Sequence, residues 1–333
     1  MQLLNHINRM SRLNVIKEPV AEELKKFDGF FKEATKSDIV LLNLIINYLI
    51  RNKGKQIRPL FVFLSAKMHG EINRSTYLAA TSIELLHSAT LVHDDVTDDS
   101  YERRGKLSIN AIWKNKIAVL IGDYLLSKGL LIATKEKEYE TLDIISEAVK
   151  ETIEGELLQN EKSRKLDITE ASYYEIISKK TASLIGTSLA VGTHSVLKDP
   201  AVIEEMKQIG ILAGLAFQIR DDIFDYEAKG IIGKPTGNDI KEQKITLPLI
   251  HVLKQSSWLE KQRIMNVVRR KNNRKEKVQE LIELVRAKGG IEYATQKMNE
   301  YCDDAIKRLE KFQKNEASDA LAMLFRYIIT RKR

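Results

Sequence analysis

Apolar residues recur at three- and four-residue spacing through long stretches of this chain. Examples are 201–226 (AVIEEMKQIGILAGLAFQIRDDIFDY), 175–192 (EIISKKTASLIGTSLAVG) and 277–290 (KVQELIELVRAKGG). That spacing lays one apolar stripe along a helix. No strictly alternating segment and no Asn-Gly hairpin stands out, and only 5 prolines and 16 glycines interrupt 333 residues. Breaks are expected near NKGKQIRP, MHGEINRS, LKDP and 230–248. Gly54 and Gly70 read as helix stops, whereas Pro59, Asn73 and the pair Asp199-Pro200 read as starts. No repeat, low-complexity tract or linker divides the chain. The expectation is a single all-α domain over residues 1–333, with roughly ten or more helices around a large apolar core.

Composition removes several classes. One cysteine, Cys302, cannot build a disulfide framework or a Cys-based zinc cluster. The opening MQLLNHINRMSRLNVIKEPV lacks the apolar run of a signal peptide, so a cytoplasmic location is expected. No run reaches the ~18 to 20 apolar residues of a membrane span; the nearest is IVLLNLIINYLI at 39–50, which reads as a buried helix. The net charge of +8 raises the question of nucleic acid. Its one dense patch, VVRRKNNRKEKVQE, reads as a solvated loop between two helices, and neither zinc-finger spacing nor an RNA-binding aromatic motif accompanies it. No nucleic-acid partner is expected. The basic excess suits small anionic substrates or a loose association with anionic membrane.

Chemistry concentrates in LVHDDVTDDSYERRG, residues 91–105, where four aspartates and a glutamate fall within nine positions. Asp94 and Asp98 share a helix face and repel, so a cation or the arginines that follow must offset them. FQIRDDIFD repeats the spacing with Asp221, Asp222 and Asp225. Two such faces across a cavity would supply hard oxygen ligands, which suits Mg²⁺ bridging carboxylates to phosphates. An EF-hand fails on Ser100 and Lys106, which stand where Gly and Glu belong. A phosphate-binding Walker loop fails on Pro235. Basic partners for phosphates stand at Lys55 and Arg58, at Arg103 and Arg104, and at Lys234 and Lys244.

In order, GKQIRP, ELLHSATLVHDDVTDDSYERRG, GDYLLS, GELLQ, KTASL, FQIRDDIFD and GKPTGNDIKEQKITLP resemble the motifs of the trans-polyprenyl diphosphate synthases, from about residue 20 to the C-terminus. The resemblance implies an isoprenoid-synthase-type helical bundle around a deep central cavity, and a homodimer. It implies that Asp94, Asp98 and Asp221 hold Mg²⁺ with an allylic diphosphate, while Asp95, Asp222 and Asp225 complete or support the shell. Lys55, Arg58, His87 and Arg104 match isopentenyl diphosphate positions. Arg103, Lys180, Lys234 and Lys244 match allylic diphosphate positions, and Thr181 and Gln218 match positions beside the reacting carbons and the leaving group. Gln56 departs from the family, where Arg or Lys is common. His93 reads as structural, and Phe61 and Phe63 as core.

The implied reaction is Mg²⁺-dependent head-to-tail condensation of isopentenyl diphosphate with an allylic diphosphate. In short-chain relatives a bulky aromatic closes the tunnel five residues before the first aspartate; here that residue is Ala89. Helical geometry alone favours Thr90 and Leu91 as cavity-facing, so Ala89 matters through the resemblance. The expectation is a long-chain product, of quinone side-chain type, with peripheral membrane contact for its release. The alternatives are a short-chain farnesyl or geranylgeranyl synthase, a non-catalytic subunit of a heteromeric synthase, a cyclase or head-to-head enzyme, and a Ca²⁺-binding scaffold. Both acidic clusters being complete argues against the subunit, and the isopentenyl-site residues argue against a cyclase.

Overall fold

The computed structural model describes residues 12–52, 54–103, 105–227, 237–270 and 272–331. Helices account for nearly all of them, as the three- and four-residue apolar spacing requires. The one strand ladder among the described residues pairs Glu102–Arg103 with Lys106–Leu107 antiparallel, with Gly105 at φ +75° between them. Sequence reading anticipated no strand; two residues are too few to display alternation. By internal contacts the chain divides into two units. One holds the described residues of Met1–Val149, Thr187–Lys207 and Gln313–Leu321; the other holds those of Lys150–Gly186, Gln208–Phe312 and Ala322–Arg333.

In the first unit, the helices Ala21–Ala34, Val40–Arg51, Ile57–His69, Arg74–Thr97 and Ile109–Lys135 follow one another. Asn73 starts Arg74–Thr97 as expected: its side chain accepts from the Ser75 and Thr76 amides, and Thr76 Oγ1 accepts from the Asn73 amide. That reciprocal cap satisfies amides the first turn would leave open. NKGKQIRP was misjudged at both ends. The preceding helix stops at Arg51 rather than Gly54, and the next begins at Ile57, with Gln56 in the left-handed region at φ 51°. Pro59 then sits inside the first turn, where its missing N–H has no helical acceptor to lose. Leu60 through Leu64, including Phe61 and Phe63, are fully buried.

Arg74–Thr97 packs along much of its length against Ile109–Lys135. Their shared core contains Leu85, Ala89, Val92, Ala118, Ile121 and Leu125. By length and composition Ile109–Lys135 could cross a membrane, at a mean hydropathy of 1.6, so among the described residues it, and not 39–50, is the most membrane-like stretch. Its charged residues hide this from a search for unbroken apolar runs, and its buried face belongs to the core. His93 Nε2 lies 3.2 Å from the Val119 carbonyl on that helix. His194, which sequence left without context, is buried beside Thr141 (3.2 Å) and Glu140 (2.7 Å).

The second unit contains Glu170–Ile177, a π-helical turn at Ser178–Ala182, and the later part of Pro200–Phe224. Leu247–Gln255, Trp258–Arg270, Lys275–Ala287 and Gly290–Leu309 follow. The π turn matters because an extra residue per turn re-aims side chains, a device common at functional sites; here it carries Lys180 and Thr181. Gly155 explains the glycine of GELLQ. A Cβ there would come within 2.6 Å of the Lys180 backbone nitrogen, so only glycine lets its helix, Tyr139–Lys165, approach the π turn.

Candidate active site

Both acidic clusters end long helices: Asp94 and Asp95 on Arg74–Thr97 with Asp98 just past it, and Asp221 and Asp222 on Pro200–Phe224 with Asp225 just past it. A helix C-terminus carries partial negative charge, so carboxylates there are unfavourable twice over. Asp95 is buried, its side chain 5% exposed, and Arg103 places Nε and a terminal nitrogen each 2.8 Å from its Oδ1. The hairpin missed from sequence is what presents Arg103. Burial raises the Asp95 carboxyl above its ordinary range, Arg103 opposes that, and Asp98 adds to it. Asp94 is half-buried and Asp98 exposed. Of the two offsets expected for this cluster, the arginine serves Asp95.

The isopentenyl-diphosphate candidates are partly assembled. Arg58 lies 2.8 Å from His87 Nε2. A guanidinium can only donate, so Nε2 is the acceptor in this contact. Lys55 is exposed, and Arg104 falls outside the described residues. Ala89 is buried in the core shared with Ile109–Lys135, whereas Thr90 and Leu91 are half-exposed.

In the second unit the side chains form a chain of donors. Thr181 Oγ1 donates to Gln218 Oε1 at 2.9 Å, Gln218 Nε2 donates to Asp222 Oδ1 at 2.9 Å, and the Tyr173 hydroxyl donates to Asp222 Oδ2 at 2.6 Å. Both Asp222 oxygens are thus taken by neutral protein donors, and burial pushes its carboxyl up to about 7 despite those bonds. Asp225 accepts from the backbone amides of Asn238 (3.0 Å) and Asp239 (2.9 Å), which anchors the start of Asn238–Lys241. Asp221, half-buried, is ion-paired with Arg331, whose guanidinium stacks 4.1 Å from the centre of the Phe217 ring.

Lys180 pairs with Glu156 and donates to Gln159 Oε1 at 2.7 Å, so GELLQ is the motif that holds it. Lys244 pairs with Glu242 at 2.6 Å, and Lys234 lies outside the described residues. Two residues escaped sequence reasoning. Tyr173, fully buried at the tip of the donor chain, gives no signal beyond its place seven residues before Lys180. Asp239 stood in a segment read only for its lysines. It is half-buried, and its carboxyl is raised well above the ordinary range by desolvation first and then by Asp222 and Asp225.

Among the described residues no three carboxylate, imidazole or thiol groups form a ready-made metal cage. Mg²⁺ does not need one, since it takes one or two carboxylates and fills its shell with water and phosphate. Asp94 and Asp98, which are not buried, suit that role, as does the half-buried Asp221, although Arg331 already pairs with it. By contrast, Asp95, Asp222 and Asp225 are buried and hold protein donors.

A family model described as polyprenyl synthetase matches residues 39–285. The octaprenyl diphosphate synthase of Escherichia coli (strain K12) is 33% identical over 322 residues, 96% of this chain and 99% of its own. A polyprenyl synthase from Caulobacter crescentus CB15, solved with calcium and isoprenyl diphosphate, has a TM-score of 0.88 at 30% identity, covering 96% of this chain and 98% of that one. A geranylgeranyl pyrophosphate synthase from Bacteroides thetaiotaomicron has a TM-score of 0.83 at 34% identity, covering 96% and 100%. With both acidic motifs inside the matched span and the likeness running nearly end to end, this chain belongs to the polyprenyl synthetase family and is a prenyltransferase of the all-α isoprenoid-synthase fold.

Proposed function

We propose that the chain is a long-chain trans-polyprenyl diphosphate synthase, joining isopentenyl diphosphate head-to-tail to an allylic diphosphate. Residues 1–333 act as one catalytic domain. Asp94, Asp98 and Asp221 hold Mg²⁺, and Asp95, Asp222 and Asp225 support them. Bound there, Mg²⁺ would neutralise charge on the departing diphosphate. Lys180, Lys234, Lys244 and Arg103 hold the allylic diphosphate, while Lys55, Arg58, His87 and Arg104 hold isopentenyl diphosphate. The allylic C–O bond breaks with its electron pair leaving on diphosphate, and the isopentenyl double bond attacks the cation so formed. A proton then departs to the released diphosphate, giving an allylic diphosphate one isoprene longer. Thr181 and Gln218, locked by Asp222, keep fixed dipoles beside the reacting carbons, so little reorganisation is needed as charge moves. The site must exclude water, which would capture the cation.

The same proposal includes a homodimer. Ile109–Lys135 leaves Val119, Leu120, Leu130 and Leu131 exposed, Leu120 to 54%, and a second copy would cover such an apolar face. A cytoplasmic location, a quinone side-chain product and peripheral membrane contact complete it. The duplicated Asp-Asp-x-x-Asp carries the function, with Asp94 and Asp98 not buried and Asp95, Asp222 and Asp225 held by protein donors.

The test is incubation of purified protein with labelled isopentenyl diphosphate, a farnesyl diphosphate primer and Mg²⁺, followed by chromatography. Products of roughly six to ten isoprene units are expected, on a growth path set by the ~1.5 Å rise along Arg74–Thr97. No incorporation overturns the synthase assignment. Arrest at a geranylgeranyl product overturns only the chain length, and Ala89→Tyr should shorten the wild-type product.

A further inference from the structure

The basic stretch at 267–280 plays no part in the chemistry above. The helix before it, Trp258–Arg270, has two distinct sides. Ile264 and Val268 are buried at 3% and 0% exposure, while Trp258 and Leu259 stand out at 70% and 64%. At ~100° per residue, positions 258, 259, 262, 263, 266, 269 and 270 fall on one arc of ~140°, opposite Ile264 and Val268. All seven are exposed. They read Trp, Leu, Gln, Arg, Asn, Arg and Arg, with no acid among them. Glu260, the helix's one acid, lies off this arc and pairs with Lys288 at 2.5 Å. Exposed Arg274 and Lys275 continue the basic surface beyond the helix.

We propose that this arc of Trp258–Arg270 seats the protein on an anionic phospholipid bilayer. Arg263, Arg269 and Arg270 meet the headgroups as charge complements, and Trp258 and Leu259 enter the interface beneath them. Interfacial Trp with an aliphatic neighbour, beside arginines that attract anionic headgroups, suits such a surface. A nucleic acid would satisfy the arginines and could stack on Trp258, but it offers Leu259 nothing. The partner follows from the proposed long-chain reading, on which this inference rests, because each added methylene makes departure of the product into water less favourable.

The experiment is co-sedimentation of the full chain, without substrate, with phosphatidylcholine vesicles and with vesicles containing phosphatidylglycerol. Binding is expected only to the latter, weakening with salt. Combined Arg263→Gln, Arg269→Gln and Arg270→Gln should lower the partition coefficient about a hundredfold, at about fivefold per arginine. Combined Trp258→Ser and Leu259→Ser should lower it about tenfold. Condensation of a soluble short primer should be unchanged in both variants. The proposal is overturned by absent binding, by binding that neither variant alters, or by a Trp258/Leu259 variant that binds normally while polyuridylic acid displaces the protein, which assigns the face to nucleic acid. Since binding is read without turnover, an inactive wild type that still binds vesicles would sink the synthase assignment alone.

Discussion

Asp95 and Asp222 occupy the same place in identical motifs, and the two units hold them by opposite means. Asp95 is met by a full positive charge, Arg103 at 2.8 Å from Oδ1. Asp222 is met by two neutral donors, the Tyr173 hydroxyl and the Gln218 amide. Arg103 and the neutral donors both oppose the upward push of burial, but only Arg103 brings a full charge to do so. The first cluster is therefore set by its own arginine. In the second, the arginine, Arg331, meets Asp221 instead, and Asp222 and Asp225 rest on neutral donors beside Asp239. Equal spacing gives equal ligand geometry at best, and the surroundings decide what each carboxylate does.

The largest effect should come from the outer members. Asp94→Ala and Asp221→Ala should each lower turnover by on the order of a thousandfold, as loss of a transition-state charge stabiliser does. Circular dichroism should show the helices intact, because removing one of several like charges relieves repulsion. Near-normal turnover in either variant would break the pairing of the two clusters.

Proton linkage sharpens the contrast. The Asp222 carboxyl is raised to about 7 in the folded protein, whereas in an unfolded chain it titrates near the usual ~4. Below the unfolded value both states are protonated and the group contributes nothing. As pH rises from ~4 through ~7 the unfolded chain releases its proton first, so this group withdraws stability, by up to about 4 kcal/mol. Thermal unfolding without added metal, run across that window, should show a decline that Asp222→Asn flattens. Asp95→Asn should flatten it less, because Arg103 opposes the upward shift. Equal flattening would erase the distinction.

Tyr173→Phe should cost about 1 to 3 kcal/mol in urea unfolding, since one buried Asp222 oxygen loses its donor. It should also lower kcat more than it raises either KM, because the effect reaches the reaction through Gln218 and Thr181. A change confined to stability would leave Tyr173 a packing residue. Smallest is the effect at Arg331: Asp221 cannot give its oxygen both to this guanidinium and fully to a cation. Arg331→Gln should tighten Mg²⁺ binding by about threefold, the scale of a partly exposed ion pair. Weaker binding would mean that the tail supports the cation.

Much of this was legible in sequence because it is local. Periodicity gave the helices, Asn73 and Asp199 marked starts as caps do, and the acidic motifs repeat a spacing within one turn. Contacts between distant segments were not legible. Tyr173 reaches Asp222 across 49 residues, and Lys180 reaches Gln159 across 21, and neither pairing leaves a periodic trace. The hairpin carrying Arg103 was too short to alternate. Asp239 was hidden because its nearest partners include the backbone-bound Asp225, and backbone amides have no signature in side-chain spacing.

The central division of labour, Asp94, Asp98 and Asp221 for the cation and Asp95, Asp222 and Asp225 for the fold, is most directly tested by calorimetric titration of Mg²⁺ with inorganic diphosphate into wild type, Asp221→Asn and Asp222→Asn. Wild type should bind, and Asp221→Asn should lose binding by about a hundredfold or more, as a removed carboxylate ligand of a hard cation requires. Asp222→Asn should stay within about threefold of wild type, because its oxygens already belong to Tyr173 and Gln218. Equal loss in the two variants would contradict the account.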